Sequence, residues 1–492
     1  MIRHAYRHKL MLTLTGVLTL LLSWPPSTDA KADPPTAPEE VAKLIEYKKQ
    51  YDFINYDHNA FEWQDYSAMQ PFFNKLQMTR SRKLRILHIG DSHVQADIFT
   101  GLIRNKMQDL FGKGGRGMIF PYATARTHAA YDYYTSRSGD WKYGKNTQRV
   151  PDYDLGMSGV TAWTKDAEAG FRIVFNQFYY PVENRKVRVY CKGSAKSYEL
   201  MLFVNGNKQD TVWFHANTEG LNYIEAYLPE APKVLDFKLV QTDSTQKFFE
   251  LHGVELQTID ESGVLYSSVG INGAHFKSIL NQKLMGPHLA LFQPDLVVVD
   301  VSGNEYYNGG LEKGSFTSRL DSILKRIKHN APGASVLVSC SQDINRYRYY
   351  SVADCGPAAD LAREIAFNNG CAFYNYFKVS GKRYSMNKWF AHGLAKYDRV
   401  HLTYAGYSTK AELFTNALLN TYHQVLKGQT STPYAANTLP KATFHAKAKP
   451  ISYAKPVSTA GNGKPIYHII RPDEVPGTIA RRYGVRVSQI PA

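Results

Sequence analysis

The feature that most constrains this chain is a set of short, unbroken apolar runs. Residues 84–89 read LRILHI and stop at Gly90, 295–302 read DLVVVDVS, and 334–340 read ASVLVSC. None shows the polar/apolar alternation of a strand with one wet face. Helical spacing follows them: Ile98, Leu102, Ile103, Met107 and Leu110 predict a helix over 97–110. SFTSRLDSILKRIKHNAPG predicts another, stopped by Pro332 and Gly333, and AADLAREIAFNNG a third, ahead of strand-like CAFYNYF. Strands buried on both faces and alternating with helices require a parallel sheet flanked by helices, an α/β fold.

From 131 to 261 the texture changes. FRIVFNQF, KVRVYCKG, YELMLFVNG, YIEAYLP, VLDFKLVQT and FELHGVELQ are separated by turn residues and lack helical periodicity. This stretch reads as an all-β sandwich or jelly roll inserted into the α/β unit. Its Trp163, Tyr179, Tyr180 and Trp213 are expected in its core rather than on a sugar-binding platform.

The N-terminus reads as an address. Arg3, Arg7 and Lys9 precede an apolar run of 15 residues, Leu10 to Trp24, and Thr28-Asp29-Ala30 offers small residues for cleavage. That is the pattern of a secretory signal peptide, and the run is short for a membrane span; an uncleaved anchor is the alternative. The expected division is 1–30 signal peptide, 31–78 N-terminal extension, 79–130 and 262–427 the two parts of the α/β domain, 131–261 the insertion, 428–465 a linker and 466–492 a final folded segment. Residues 31–45 are Pro/Ala/Glu-rich and expected to be mobile. The stretch 428–464 is rich in Thr, Ala, Pro and Lys and without acidic residues, as a solvated linker would be.

Lys and Arg number 59 against 43 Asp and Glu, a net charge of +16, falling to +14 if residues 1–30 are removed. A basic chain favours an anionic partner. No nucleic-acid motif is present and export argues against that partner. An anionic wall polymer fits, and no membrane span is expected once the leader is cut. Of four cysteines, Cys340, Cys355 and Cys371 are clustered in sequence; one disulfide among them and buried free thiols are equally open. No Cys/His spacing suggests a metal site.

Three blocks carry chemistry. Gly90-Asp91-Ser92-His93 follows the first strand, Ser302-Gly303-Asn304-Glu305 follows another, and Asp398-Arg399-Val400-His401 precedes a helix over 404–425. Ligands of such sheets sit beyond the carboxyl ends of the strands. Ser92 there needs a base to become a nucleophile. A carboxylate three residues before a histidine can hold Nδ1 and leave Nε2 for the serine proton. The Asn304 amide, the Ser92 N–H and the Gly273 N–H of Gly270-Ile271-Asn272-Gly273-Ala274 could receive an oxyanion. Each block alone is equally a turn or helix cap. His392 competes for the base role but lacks a carboxylate at that spacing. His88 and His93 are expected to pack or hydrogen-bond, not to bind metal. GKGGRG (112–117) is not a Walker loop, and is expected as a flexible loop near the site with Arg116 facing an anionic group.

Taken in order, these blocks resemble the SGNH/GDSL hydrolase superfamily, with His93 where many members have Leu and Glu305 where Asp is commoner. The resemblance implies an SGNH-like three-layer α/β fold, with Ser92 as nucleophile, His401 as base, Asp398 as its orienter and Ser92, Gly273 and Asn304 as the oxyanion hole, without metal or organic cofactor. The string GDSHVQAD, with the β insertion after it, is similar to the bacterial peptidoglycan O-acetylesterases, which carry an inserted carbohydrate-binding-like jelly roll. That implies a secreted or periplasmic serine esterase acting on peptidoglycan or another acetylated polysaccharide. An acetyltransferase and a noncatalytic wall-binding protein are the alternatives. The segment from Tyr467 to Val485 resembles part of a LysM module, departing from it at Glu474-Val475-Pro476 and stopping at Ala492 before the second helix and strand.

Overall fold

The computed structural model describes residues 33–176, 183–216, 219–431 and 443–444. The expected signal peptide, most of the linker, the LysM-like segment, Tyr179 and Tyr180 lie outside them.

The apolar runs form the centre of a parallel sheet of six strands, in the order Ala372–Tyr374, Ser335–Ser339, Leu296–Asp300, Lys83–Gly90, Gly263–Gly270 and Lys113–Gly115. Every residue of Leu296–Asp300 is buried, which explains its unbroken Leu-Val-Val-Val sequence. Helix Ile98–Phe111 packs along Tyr404–Leu426, while Lys313–Asn330 packs with Cys355–Asn368 and Met285–Phe292. The sheet and these helices share one continuous apolar core.

The stretch between the two parts folds into two antiparallel sheets enclosing a second core, which includes Trp141, Phe171, Ile173, Leu200, Leu202 and Phe237. Gly117–Ile119, upstream of the expected insertion, pairs with its last strand, Phe249–Gln257. Trp213 corrects the expectation for the aromatics: it is 45% exposed on the edge strand Asn207–Phe214. Trp163 is half-buried, its ring between those of Tyr153 and Phe248.

Two further expectations are corrected, and of the two states left open for the cysteines the structure shows free thiols. Residues 31–45 include a helix, Pro38–Lys43, that packs on Tyr404–Leu426, with Val41 and Ile45 fully buried. Its compositional bias hid a short apolar stripe of Val41, Leu44 and Ile45. The four cysteines are all free and buried. Burial pushes the thiols of Cys340 and Cys355 up to about 12 and that of Cys371 up to about 11. Finally, GKGGRG is not a flexible loop. It forms the edge strand Lys113–Gly115, and Arg116 beyond it is buried, bridging Asp97 and Asp132. Its guanidinium is committed to those carboxylates and cannot face a ligand. Arg104 joins the same cluster through Asp97.

Candidate active site

The strand Lys83–Gly90 delivers the first block to the carboxyl edge of the sheet. Gly90 is followed by a single helical turn, Ser92–Gln95, in which Asp91 Oδ1 accepts from the His93 N–H at 3.0 Å. The turn lies very close to the neighbouring strand. A Cβ on Gly270 would stand 2.6 Å from both Asp91 O and Gln95 N, so only glycine lets the Ser92 turn sit there. Gln95 Oε1 in turn accepts from the Asn272 N–H at 2.6 Å. This ties the turn to 270–274, where Gly273 takes a positive φ of 78°.

The third block is shaped by its own carboxylate. Asp398 Oδ1 accepts from the N–H groups of Val400 and His401, both at 2.9 Å, and Oδ2 stands 2.8 Å from His401 Nδ1. Behind it, Thr403 caps the long helix through the Gly406 N–H. Ser92 Oγ and His401 Nε2 are 2.9 Å apart although 309 residues separate them in sequence. Serine, histidine and aspartate thus stand in a hydrogen-bonded line. Desolvation alone would raise the Asp398 carboxyl, but the His401 hydrogen bond and the two amides outweigh it and hold the group well below the usual carboxylate range. An ionised Asp398 fixes the tautomer with Nε2 free to accept the serine proton.

Ser92, Gly273 and Asn304 line one pocket of about 590 Å³ with Asp398 and His401, a size usual for small-molecule sites. Asn304 Nδ2 donates to the Ala274 carbonyl at 2.9 Å and lies 3.4 Å from Asp91 Oδ2. The Gly273 N–H has no acceptor among the described residues, and the Ser92 N–H opens its helical turn without an intrahelical partner. His128 and Ala129, just ahead of the insertion, form part of the pocket wall. Gln95 Nε2 holds that segment through the His128 carbonyl, and the Tyr131 N–H donates to the Ala96 carbonyl.

The sequence-predicted residues Ser92, Asp398, His401, Gly273 and Asn304 are brought together; His392 and Arg116 are not. His392 packs its ring against Tyr51 and Phe53. His93 lies beneath His401, ring centroids 5.1 Å apart, and its Nδ1 is 3.0 Å from the Tyr407 hydroxyl. Burial, with His401 and Lys410 nearby, pushes its pKa far below the ordinary value, so it stays neutral. His88 Nδ1 is 2.7 Å from the Tyr266 hydroxyl. Sequence reasoning missed Gln95, although it sits in the quoted GDSHVQAD string. It also missed the buried Lys410–Asp300 pair, 3.0 Å apart, at the end of the adjoining strand. Desolvation opposes the Asp300 charge, but Lys410 and His88 hold the carboxyl well below its usual range.

Residues 252–408 match the GDSL-like Lipase/Acylhydrolase family. The matched stretch contains Gly273, Asn304, Asp398 and His401; Ser92 lies upstream of the β insertion and joins them through the fold. That match makes this chain a serine esterase. A solved peptidoglycan O-acetylesterase is similar at 22% identity and TM-score 0.61, covering 74% of this chain and 99% of its own. That likeness shows a shared fold. A family two carbohydrate esterase from Cellvibrio japonicus (9% identity, 60% of this chain and 98% of its own, TM-score 0.23) superposes only loosely. So does a lipase/acylhydrolase from Enterococcus faecalis (14% identity, 32% and 77%, TM-score 0.27). No curated protein sequence matches the chain. Among the described residues no helix is long and apolar enough to cross a membrane, and no group of three or more His, Cys, Asp and Glu is placed to hold a metal ion.

Proposed function

We propose that this protein is an exported esterase that removes O-acetyl groups from peptidoglycan, at the 6-hydroxyl of N-acetylmuramic acid, within the periplasm or cell envelope. The observation that carries the reading is the Ser92 Oγ to His401 Nε2 contact of 2.9 Å, backed by the Asp398 contact of 2.8 Å, in an open pocket. The fold shared with a peptidoglycan O-acetylesterase and the net charge of +14 once residues 1–30 are removed favour this substrate class.

Ser92 Oγ attacks the acetyl carbonyl carbon while its proton passes to His401 Nε2. The carbonyl oxygen becomes an oxyanion, facing the Ser92 and Gly273 N–H groups and Asn304 Nδ2. When the carbonyl reforms, the sugar oxygen leaves and takes the proton from His401, and the acetyl group stays on Ser92. Water then attacks the acetyl-enzyme, giving a proton to His401. The intermediate collapses, Ser92 Oγ takes the proton back from His401, and acetic acid departs, ionising to acetate in solution. The β insertion, which begins just after the pocket-lining His128 and Ala129, serves as the carbohydrate-binding side of the site. Acetate release from O-acetylated peptidoglycan, against neutral acetylated xylan, tests the reading. Faster release from peptidoglycan is expected; release from xylan alone would remove the substrate assignment. Acetyl appearing on an added sugar acceptor, without free acetate, would make the enzyme a transferase.

A further inference from the structure

Beside the catalytic pocket lies a surface that the mechanism does not use. The short hairpin Asn345–Arg346 with Tyr350–Ser351 begins directly after Ile344, which lines the pocket. Its tip exposes Tyr347, Arg348 and Tyr349, and Tyr384 and Tyr397 on neighbouring turns are also exposed. Large aromatics so open to water are unusual unless they meet a partner. The guanidinium of Arg348 lies 4.2 Å from the Tyr397 ring centre, and that of Arg399 5.6 Å from the Tyr349 ring. Arg348, Lys396 and Arg399 form no salt bridge with a carboxylate among the described residues. The segments 344–351, 382–388 and 396–399 contain one acidic residue, Asp398, and its carboxylate faces His401.

This surface is built rather than loose. The Asn345 N–H donates to the Arg399 carbonyl at 3.0 Å, and Asn387 Oδ1 accepts from both Asn345 Nδ2 and Arg399. Buried Asp343 accepts from Ser351 Oγ and the Met386 N–H. The three segments therefore form one hydrogen-bonded unit with the loop that carries Asp398. Tyr347, Arg348, Lys382, Tyr384 and Arg399 all have positive φ, between 50° and 73°. Bulky side chains seldom adopt that conformation, and such strain gathers at functional surfaces.

We infer that this tyrosine and arginine surface holds an anionic glycan chain as it runs out of the catalytic pocket. Tyrosine faces stack on sugar rings, and unpaired guanidinium and ammonium groups receive carboxylates. Lys396, at the pocket rim, marks where the chain passes from the surface to Ser92. The inference rests on the esterase reading for the direction of the chain, but requires only that the polymer be acidic.

The test uses the full chain. Binding to O-acetylated peptidoglycan sacculi and to neutral acetylated xylan is measured for Ser92→Ala alone and combined with Arg348→Glu or with Tyr349→Ala and Tyr384→Ala. Turnover of p-nitrophenyl acetate and thermal melting are measured with Ser92 intact. Sacculus affinity should fall about tenfold in the combined variants, as the loss of two or three cation and ring contacts implies. Xylan binding by the Arg348→Glu variant, and small-ester turnover and melting of every variant, should stay at their parent values, and parent sacculus binding should weaken with added salt. Unchanged sacculus binding, or an equal loss on xylan with Arg348→Glu, would overturn the inference, as would loss of small-ester turnover, which would show damage to the site instead. If the enzyme deacetylates no peptidoglycan yet Ser92→Ala binds sacculi through these residues, the substrate assignment falls and this surface stands.

Discussion

Replacing Gly270 by alanine tests how tightly the sheet holds the nucleophile. The new Cβ would stand 2.6 Å from Asp91 O, 2.6 Å from Gln95 N and 3.0 Å from Val94 C, where ordinary contact begins at 3.4 Å. All three are backbone atoms, so no side-chain rotation relieves the overlap. Restoring contact moves the Ser92–Gln95 turn by about 0.8 Å (3.4 minus 2.6) or bends the Gly263–Gly270 strand by as much. A shift of that size away from His401 would stretch the 2.9 Å Ser92–His401 contact beyond hydrogen-bonding range. Misplacement by about 1 Å costs on the order of 100-fold in rate, and overpacking costs about 1–3 kcal/mol of stability. The assay is kcat on a small acetyl ester, with thermal melting of the same sample. Gly270→Ala should lose roughly 100-fold in kcat, with a melting loss of only a few degrees. A variant with kcat within about twofold of the parent would refute the claim that Gly270 sets the position of Ser92.

Three other changes probe separate parts of the account. Asp398→Asn keeps the shape but removes the charge that fixes the His401 tautomer, so kcat should fall by about 10²–10⁴ with little change in melting temperature. Arg116→Met leaves Asp97 and Asp132 buried without Arg116, one of the two arginines that meet them, so denaturant unfolding should show a loss of about 3–5 kcal/mol; an effect below about 1 kcal/mol would contradict the buried bridge. Asp91 is raised by burial from 3.8 to about 6, despite the His93 N–H bond that lowers it. Its folded form therefore prefers the proton, and its contribution to stability is full below about pH 3.8 and lost as pH rises through 6. Asp91→Asn should gain on the parent by about 2–3 kcal/mol between pH 4 and pH 8; a difference constant across that range would refute the shift.

The parallel strands were legible because burial on both faces leaves no alternation, as in Leu296–Asp300. The meeting of Ser92, His401 and Asp398 was legible because functional side chains sit at the ends of such strands, and because the Asp398–His401 geometry is local, closed by contacts within four residues. Long-range partnerships were not legible. Arg116 looked free in a glycine-rich stretch, since nothing in GKGGRG announces that Asp97 and Asp132 flank it in space. Pairing of Lys410 with Asp300 across 110 residues is equally silent in sequence. The Pro38–Lys43 helix was hidden by composition, and only packing on the long C-terminal helix reveals its stripe. The tyrosine and arginine surface was missed because its residues come from three separate segments.

The most direct test of the central claim is the intact mass of the enzyme, and of its Ser92 peptide, after brief exposure to O-acetylated peptidoglycan and quenching in acid. The account predicts one added acetyl group on Ser92, vanishing as free acetate accumulates, and neither acetyl nor acetate with Ser92→Ala. Acetate released at the parent rate by Ser92→Ala, or acetyl found on another residue during turnover, would contradict it.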